Sequence, residues 1–555
     1  MKKATPFSGF TQKPPKLCNE FLDDIFIQDY LQSYFPKDKI QEIFLDLENL
    51  GNRVINEFLV WANDAEKNEP YLIQFDAYGN RIDEIVVAQG WKNLHVAAAE
   101  EGLVAIGYER KFKEFSRLYQ FIKLYYYTPS SAIYSCPLAM TDGAARVVEV
   151  YGNAFLKQEI LPHLISRNPE TFKTSGQWMT ERIGGSDVSH SMTFAEKNGD
   201  DYLLSGHKWF TSAITADMSF TLASTEQATE TSLAPLSLFY LPIRNEDGSL
   251  NGIEVEALKD KLGTRALPTA QLSLQGAKAK LVGEKGKGVR TISTLFNITR
   301  IYNTISAVSY MRRAYALCKA YSKERKTFGK LLGEHVLYKK NLRELEMAYQ
   351  SNTILGLFLT RLLGKEECEV ATENEKALLR LLTPIAKLYT AKQAIKSASE
   401  HVEMFGGLGY LEDTGIPVML RNVQVLSIWE GATNVLSLDM LRSIEKENGL
   451  VAFKEFSEKM INENYPTELV DAKENIKTKI DGLFSFINDI KNKETMVAVS
   501  RDVAFFIAEA TIALLWLDFL KTNIKKENYL NTLTYWLHYK MNIEKLKSSY
   551  LLGLA

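Results

Sequence analysis

Between about Gly176 and Gly288 the apolar periodicity of this chain switches and then switches back, and that change constrains the fold more than any other feature. Upstream, stretches such as LDDIFIQDYLQSYF and EFSRLYQFIKLYYY repeat apolar residues at helical spacing with few turn formers. Inside the block, MTFAE, YLLSG, LSLFYLPI and AQLSLQG alternate over short runs, with Asn198-Gly199-Asp200 and Asp247-Gly248 between them, which predicts antiparallel β structure. Downstream the helical period returns. Ile301, Ile305, Val308, Met311, Tyr315 and Cys318 fall on one face, and Tyr338, Leu342, Leu345 and Tyr349 on a second. A third segment from Leu378 to Phe405 is expected to kink at Pro384 and to stop at Gly406-Gly407. The expectation is a mainly α protein with an inserted antiparallel β domain, its later helices packed as a bundle.

A chain of 555 residues exceeds what one hydrophobic core can organise. The texture divides it into an N-terminal helical domain over 1–172, a middle β domain over 173–287, a helical bundle over 288–445 and a C-terminal helical extension over 446–555. Cys136 to Gly143 reads as a loop before a helix, either facing a site or turning the chain.

Lysine plus arginine (66) nearly balances aspartate plus glutamate (68), so no whole-molecule field draws the protein to nucleic acid or an anionic membrane. The four cysteines lie far apart without a C-x-x-C pair, which fits a reducing cytosol better than a disulfide framework. The first residues lack the apolar core of a secretory signal. Val503 to Leu517 is the most apolar stretch, but Glu509 interrupts it and charges flank it, so a buried helix is expected rather than a membrane span. Seven scattered histidines without an H-x-x-x-H pair predict no metal site. There is no G-x-S-x-G elbow and no phosphate-binding P-loop, and Gly407-Leu408-Gly409 lacks the third glycine and the preceding strand of a Rossmann turn.

Four segments combine small residues, hydroxyls and charges. In Trp178 to Val188, Gly184 and Gly185 admit close backbone approach to a ligand, or simply turn the chain into the β domain. Gly206 to Ser212 places aromatics and hydroxyls on a strand, for a ligand or for core packing. Glu324 to Lys330 is a site segment or a solvated charge run. Phe405 to Tyr410 is followed by Ser427-Ile428-Trp429-Glu430-Gly431, where desolvation between tryptophan and glycine suits a glutamate to proton abstraction, a surface loop being the alternative.

Taken in order, TE-x-x-GGSD, GHKWFTS and ERKTFGK, supported by KLGTRALPT and VGEKGKG, resemble the acyl-CoA dehydrogenase family across roughly residues 130 to 445. The extra N-terminal length, the IWEG wording and the added C-terminal helices resemble its adaptive-response, AidB-like branch. The resemblance implies a helical domain, a β domain and a four-helix bundle, with FAD extended between the last two. It implies that Met179 and Thr180 meet the flavin ring, Gly185 and Ser186 the pyrophosphate, Trp209 the ring's flank and Thr211 its N5 edge. Arg325, Phe328 and the segment at Gly407 would serve the cofactor of a neighbouring subunit in a homodimer or homotetramer, with Glu403 where many members have glutamine.

Glu430 matches the usual catalytic base, while Thr299 stands where other members carry it, just before the arginine matched by Arg300. Arg300 and Trp429, the latter in place of a common tyrosine, would meet substrate. Ala432 replaces a common threonine, which leaves the FAD contact there to Thr433 and Asn434. No histidine or cysteine lies in Met179 to Ser186 or Trp209 to Ser212, so the FAD is expected to be noncovalent. The implied chemistry is α,β-dehydrogenation of an acyl-CoA, with electrons passed to electron-transfer flavoprotein or another acceptor. The alternative is an AidB-like flavin-bearing protective protein with little turnover, binding nucleic acid or lipid. The balanced charges of residues 446–555 weaken the nucleic-acid role.

Overall fold

The computed structural model of the protein describes residues 12–226 and 233–552, so the leader reading at residues 1–11 lies outside the described residues. The N-terminal part is helical, and its helix α1 (Ser116–Tyr127) is buried on every side. Helix α2 (Ser135–Tyr151) contains Cys136 to Gly143, which are therefore helical rather than a loop. Pro137 fits because a first-turn proline loses no intrahelical hydrogen bond. Gly143 fits because a Cβ there would lie 2.5 Å from Leu295 Cγ, where a neighbouring helix crosses closely. A two-stranded hairpin, β1 (Tyr71–Phe75) with β2 (Arg81–Val86), also interrupts this helical part.

The β domain runs through β3 (Ser175–Trp178), β4 (Phe194–Asn198), β5 (Asp201–Ser212), β6 (Met218–Ser224), β7 (Leu236–Pro242), β8 (Ile253–Leu258) and β9 (Thr269–Val282). Pairing is antiparallel except that β6 runs parallel to β3 and β4. The ladder β5–β9–β7–β6–β4 returns to β5, so the sheet closes on itself around a core that includes Leu204, Ala223, Phe239 and Leu272, while Leu222 and Leu238 on the other face belong to a second apolar cluster with Leu295. The β5–β9 register slips between Lys208 and Thr211. Phe210 there has φ +58°, and the bulge leaves Trp209 half-buried and Phe210 exposed at the domain surface.

Three long helices follow: α3 (Gly288–Ser322), α4 (Val336–Glu367) and α5 (Glu373–Met404). The expected face of α3 is buried from Ile301 to Cys318. Thr372 and Glu375 start α5 with a reciprocal capping box, and Gly406 at φ +59° ends it. The helix is continuous through Pro384. Helix α6 (Thr433–Lys446) packs on α5 to complete the bundle.

Arg117 of α1 ties these parts together. It donates to both oxygens of Asp142 on α2 (2.9 and 2.8 Å) and both oxygens of Glu367 on α4 (2.6 and 2.9 Å), and all three side chains are buried. Gln120, Tyr302 and Tyr108 also donate to the Asp142 carboxylate.

The C-terminal extension centres on α7 (Lys493–Asn523), which is long and apolar enough to cross a membrane, yet 83% of its most apolar window is buried within the protein. Its Trp516 and Phe519 pack with Phe26, Tyr30 and Tyr529, Tyr34 donates to Asp518 at 2.7 Å and Tyr529 to Asp29 at 2.7 Å, so the two ends of the described chain are clasped together.

Candidate active site

The β3 strand delivers Met179 into the core and Thr180 to the surface, where the Thr180 carbonyl accepts the Trp209 N–H at 2.9 Å. Glu181 and Gly184 then close a tight turn with reciprocal backbone hydrogen bonds of 3.0 and 3.2 Å. Glu181 is the lock of this turn. Its carboxylate takes the Lys208 ammonium at 2.9 Å, the Met192 N–H at 2.7 Å, and hydroxyls from Ser191 and Thr193. Burial alone would push the Glu181 carboxyl up, but the Lys208 charge and these hydrogen bonds outweigh it and hold the carboxyl down at about 2.

A depressed folded value contributes stability that is present above the unfolded value of 4.5 and is lost as pH falls through about 2. Glu181→Gln is therefore expected to cost about 2 kcal/mol near neutrality, after allowance for solvent screening. The gap between wild-type and variant urea midpoints should close as the pH falls from 4.5 toward 2. A gap independent of pH would show that the ion pair is not what stabilises the turn.

Beyond the turn, Ile183 to Asp187 and His190 line an open cleft of about 520 Å³. Bare backbone is required at its floor, since a Cβ on Gly184 would meet the Asp187 carbonyl oxygen at 2.7 Å and one on Gly185 would meet Thr180 at 2.9 Å. With Ser186 exposed beside these glycines, the lining suits the pyrophosphate of a dinucleotide. Trp209 stands beside Arg182 and under the Lys259 ammonium, 2.9 Å from its ring centroid, and buried Thr211 donates to the Ala270 carbonyl at 2.8 Å.

Glu430 sits on the loop before α6 with φ +57°, a left-handed conformation that costs a non-glycine residue energy and persists only when its surroundings impose it. Those surroundings come from three elements. Gln177 of β3 donates its amide to one carboxylate oxygen, and Thr299 of α3 donates its hydroxyl to the other at 2.6 Å. Arg300 reaches the Glu430 carbonyl at 3.4 Å, and Lys387 of α5 donates to the Gly431 carbonyl at 2.7 Å. Burial lowers Lys387 to about 7, opposed by the Glu430 charge. Arg300 also pairs with Asp439 at 2.6 Å, and Trp429 donates its indole N–H to Asn303.

The expected site residues thus fall into three places. The first is the sheet end carrying Met179, Thr180, Gly185, Ser186, Trp209 and Thr211. The second is the loop carrying Trp429 and Glu430 against Arg300, with buried Thr433 and exposed Asn434 at the start of α6. Gln177 joins these two directly. The third is a small hairpin whose tip holds Phe328 at 97% exposure, rooted at Arg325, with Gly407 nearby, because Phe405 stacks on Tyr321 at 4.2 Å. Sequence reasoning missed Glu181, Gln177 and Lys387.

Comparisons with known proteins agree with this architecture. The acyl-CoA dehydrogenase C-terminal domain matches residues 286–445, the acyl-CoA dehydrogenase middle domain residues 176–277, and the adaptive response protein AidB N-terminal domain residues 13–170. The chain is 41% identical over 529 residues to acyl-CoA dehydrogenase family member 11 of Caenorhabditis elegans, covering 92% of this chain and 85% of the relative. It is 30% identical over 395 residues to the putative acyl-CoA dehydrogenase AidB of Escherichia coli, covering 70% and 71%. The crystal structure of Caenorhabditis elegans ACDH-11 in complex with C11-CoA superposes with a TM-score of 0.93 at 37% identity, over 98% of this chain and 96% of that one. The chain belongs to the acyl-CoA dehydrogenase family of flavoprotein oxidoreductases. Within it, the N-terminal match and the two relatives put it among the AidB-like members.

Proposed function

We propose that the protein is an FAD-dependent acyl-CoA dehydrogenase that removes the α- and β-hydrogens of an acyl thioester, with Glu430 as the base. The observation that carries this reading is the Glu430 carboxylate itself, held where β3, α3 and the bundle meet by donors to both of its oxygens. FAD, when bound noncovalently, supplies the acceptor for the β-hydride. Gly185 and Ser186 hold its pyrophosphate, Met179, Thr180, Trp209 and Thr211 border its ring, and Thr433 and Asn434 contact it from the start of α6. The Glu430 backbone N–H helps polarise the thioester carbonyl, and the Glu430 carboxylate takes the α-proton. Arg300 and Trp429 shape the loop on which the acyl group rests. The ACDH-11 complex with C11-CoA supports an acyl-CoA substrate here too.

The test is anaerobic mixing of the yellow protein with acyl-CoAs of graded length. Bleaching by at least one is expected, and failure of all would favour a flavin-bearing protective protein of little turnover. We place the enzyme in the cytoplasm as a homodimer or homotetramer that passes electrons to electron-transfer flavoprotein or a similar acceptor. Arg325, Phe328 and Gly407 serve the neighbouring subunit's cofactor. Arg325→Ala removes a charge-assisted hydrogen bond and should weaken FAD retention by about tenfold or more. A variant with wild-type flavin occupancy after extensive dialysis would refute the shared site. The balanced charge of the chain gives no support to nucleic acid as a ligand.

A further inference from the structure

Gln177 lies in no segment that the cofactor or substrate reading uses, yet its carboxamide reaches across 253 residues of sequence to the Glu430 carboxylate. The donor end of the amide faces one carboxylate oxygen, and its own oxygen is buried without a hydrogen-bond partner. A buried acceptor left unsatisfied costs free energy, so this arrangement persists because the amide nitrogen gains a charge-assisted hydrogen bond to the carboxylate. The second carboxylate oxygen is held by the Thr299 hydroxyl at 2.6 Å, and that side chain is itself buried and also lies 3.2 Å from the Phe296 carbonyl. The backbone under the carboxylate is strained at Glu430, with φ +57°, and among the described residues it is tethered through its carbonyls, by Arg300 and Lys387. The side-chain orientation therefore rests on Gln177 and Thr299.

We propose that Gln177 and Thr299 are positioning residues for the base, a two-donor clamp in which a β-domain strand and a bundle helix each fix one carboxylate oxygen. The inference rests on Glu430 being the base. Because both donors are neutral, the clamp fixes the carboxylate without setting a cation against its oxygens. A charged partner such as lysine in either place would bind the anion more tightly and oppose proton abstraction. The clamp also couples the β domain to the bundle through the reacting group itself, so a small displacement of either would misplace the base.

The experiment uses the flavin-loaded enzyme and a 3-thia-acyl-CoA, whose α-hydrogens are acidic but which has no β-carbon hydrogen to deliver as hydride. Exchange of its α-hydrogens in deuterated water, followed by nuclear magnetic resonance, reads proton transfer to and from the base apart from cofactor reduction. Gln177→Leu and Thr299→Val should each slow exchange about tenfold, and the acid limb of the exchange profile should move about one unit toward higher pH, because lost donors disfavour the charged carboxylate. Thr299→Ser should restore both, and the dissociation constant of the analogue should stay within about threefold of wild type, less than one hydrogen bond's worth. Wild-type exchange and an unmoved acid limb in both variants would overturn the clamp. If Gln177→Leu fails to hold flavin, the Thr299→Val and Thr299→Ser pair decides. Glu430→Gln separates the two readings: wild-type exchange in that variant removes the base assignment, whereas silence there with unchanged clamp variants removes only the clamp.

Discussion

Glu430→Gln is expected to slow cofactor reduction by acyl-CoA by about 10⁴-fold or more while leaving FAD bound. The change keeps volume and hydrogen-bonding capacity, so the contacts from Thr299 and Gln177 can be partly retained and the loop need not collapse. What is removed is the carboxylate proposed to accept the α-proton. Thr299, at the alternative base position, carries a hydroxyl that cannot replace it at neutral pH. Acyl-CoA should still bind and perturb the visible spectrum, because its carbonyl and CoA contacts do not need the carboxylate charge. Stopped-flow mixing would measure both, and a variant reduced at the wild-type rate would move the base elsewhere.

Arg117→Ala should be the most destabilising single change in the helical framework, at about 3–5 kcal/mol. It removes the guanidinium from between Asp142 and Glu367 and leaves two carboxylates buried at the junction of α1, α2 and α4. Water cannot rehydrate them without opening that junction. Arg117→Lys should rescue little, since an ammonium cannot span two carboxylates with paired donors as the planar fork does. Urea unfolding midpoints give the readout, and a midpoint within experimental scatter of wild type would show that the network contributes no net stability.

The helical faces were legible because their period is local: Ile301 to Cys318 reads as one stripe and is buried as one. The end of α5 was legible because Gly406 takes a left-handed conformation that glycine adopts at little cost. Cys136 to Gly143 was misread for the converse reason. Pro137 and Gly143 look like breakers, and only the neighbouring Leu295 shows why a glycine belongs inside a helix. Pro384 would end a helix in isolation, but packing of α5 on its neighbours carries the helix through it. At the site, Glu430 stood out beside tryptophan and glycine, whereas Gln177 and Lys387 acquire their meaning from partners 253 and 44 residues away. No local pattern marks such pairs.

The clasp between the two ends of the chain has a consequence for biosynthesis. The Tyr34–Asp518 and Asp29–Tyr529 contacts join residues 484 and 500 positions apart. At about 5–20 residues per second, a ribosome needs roughly half a minute to two minutes to travel that distance. Throughout that interval Phe26, Tyr30 and Tyr34 are outside the exit tunnel while their distant aromatic partners Trp516, Phe519 and Tyr529 are not yet made. The helix Ile25–Tyr34 therefore completes its packing only after the segment carrying Trp516, Phe519 and Tyr529 has been made.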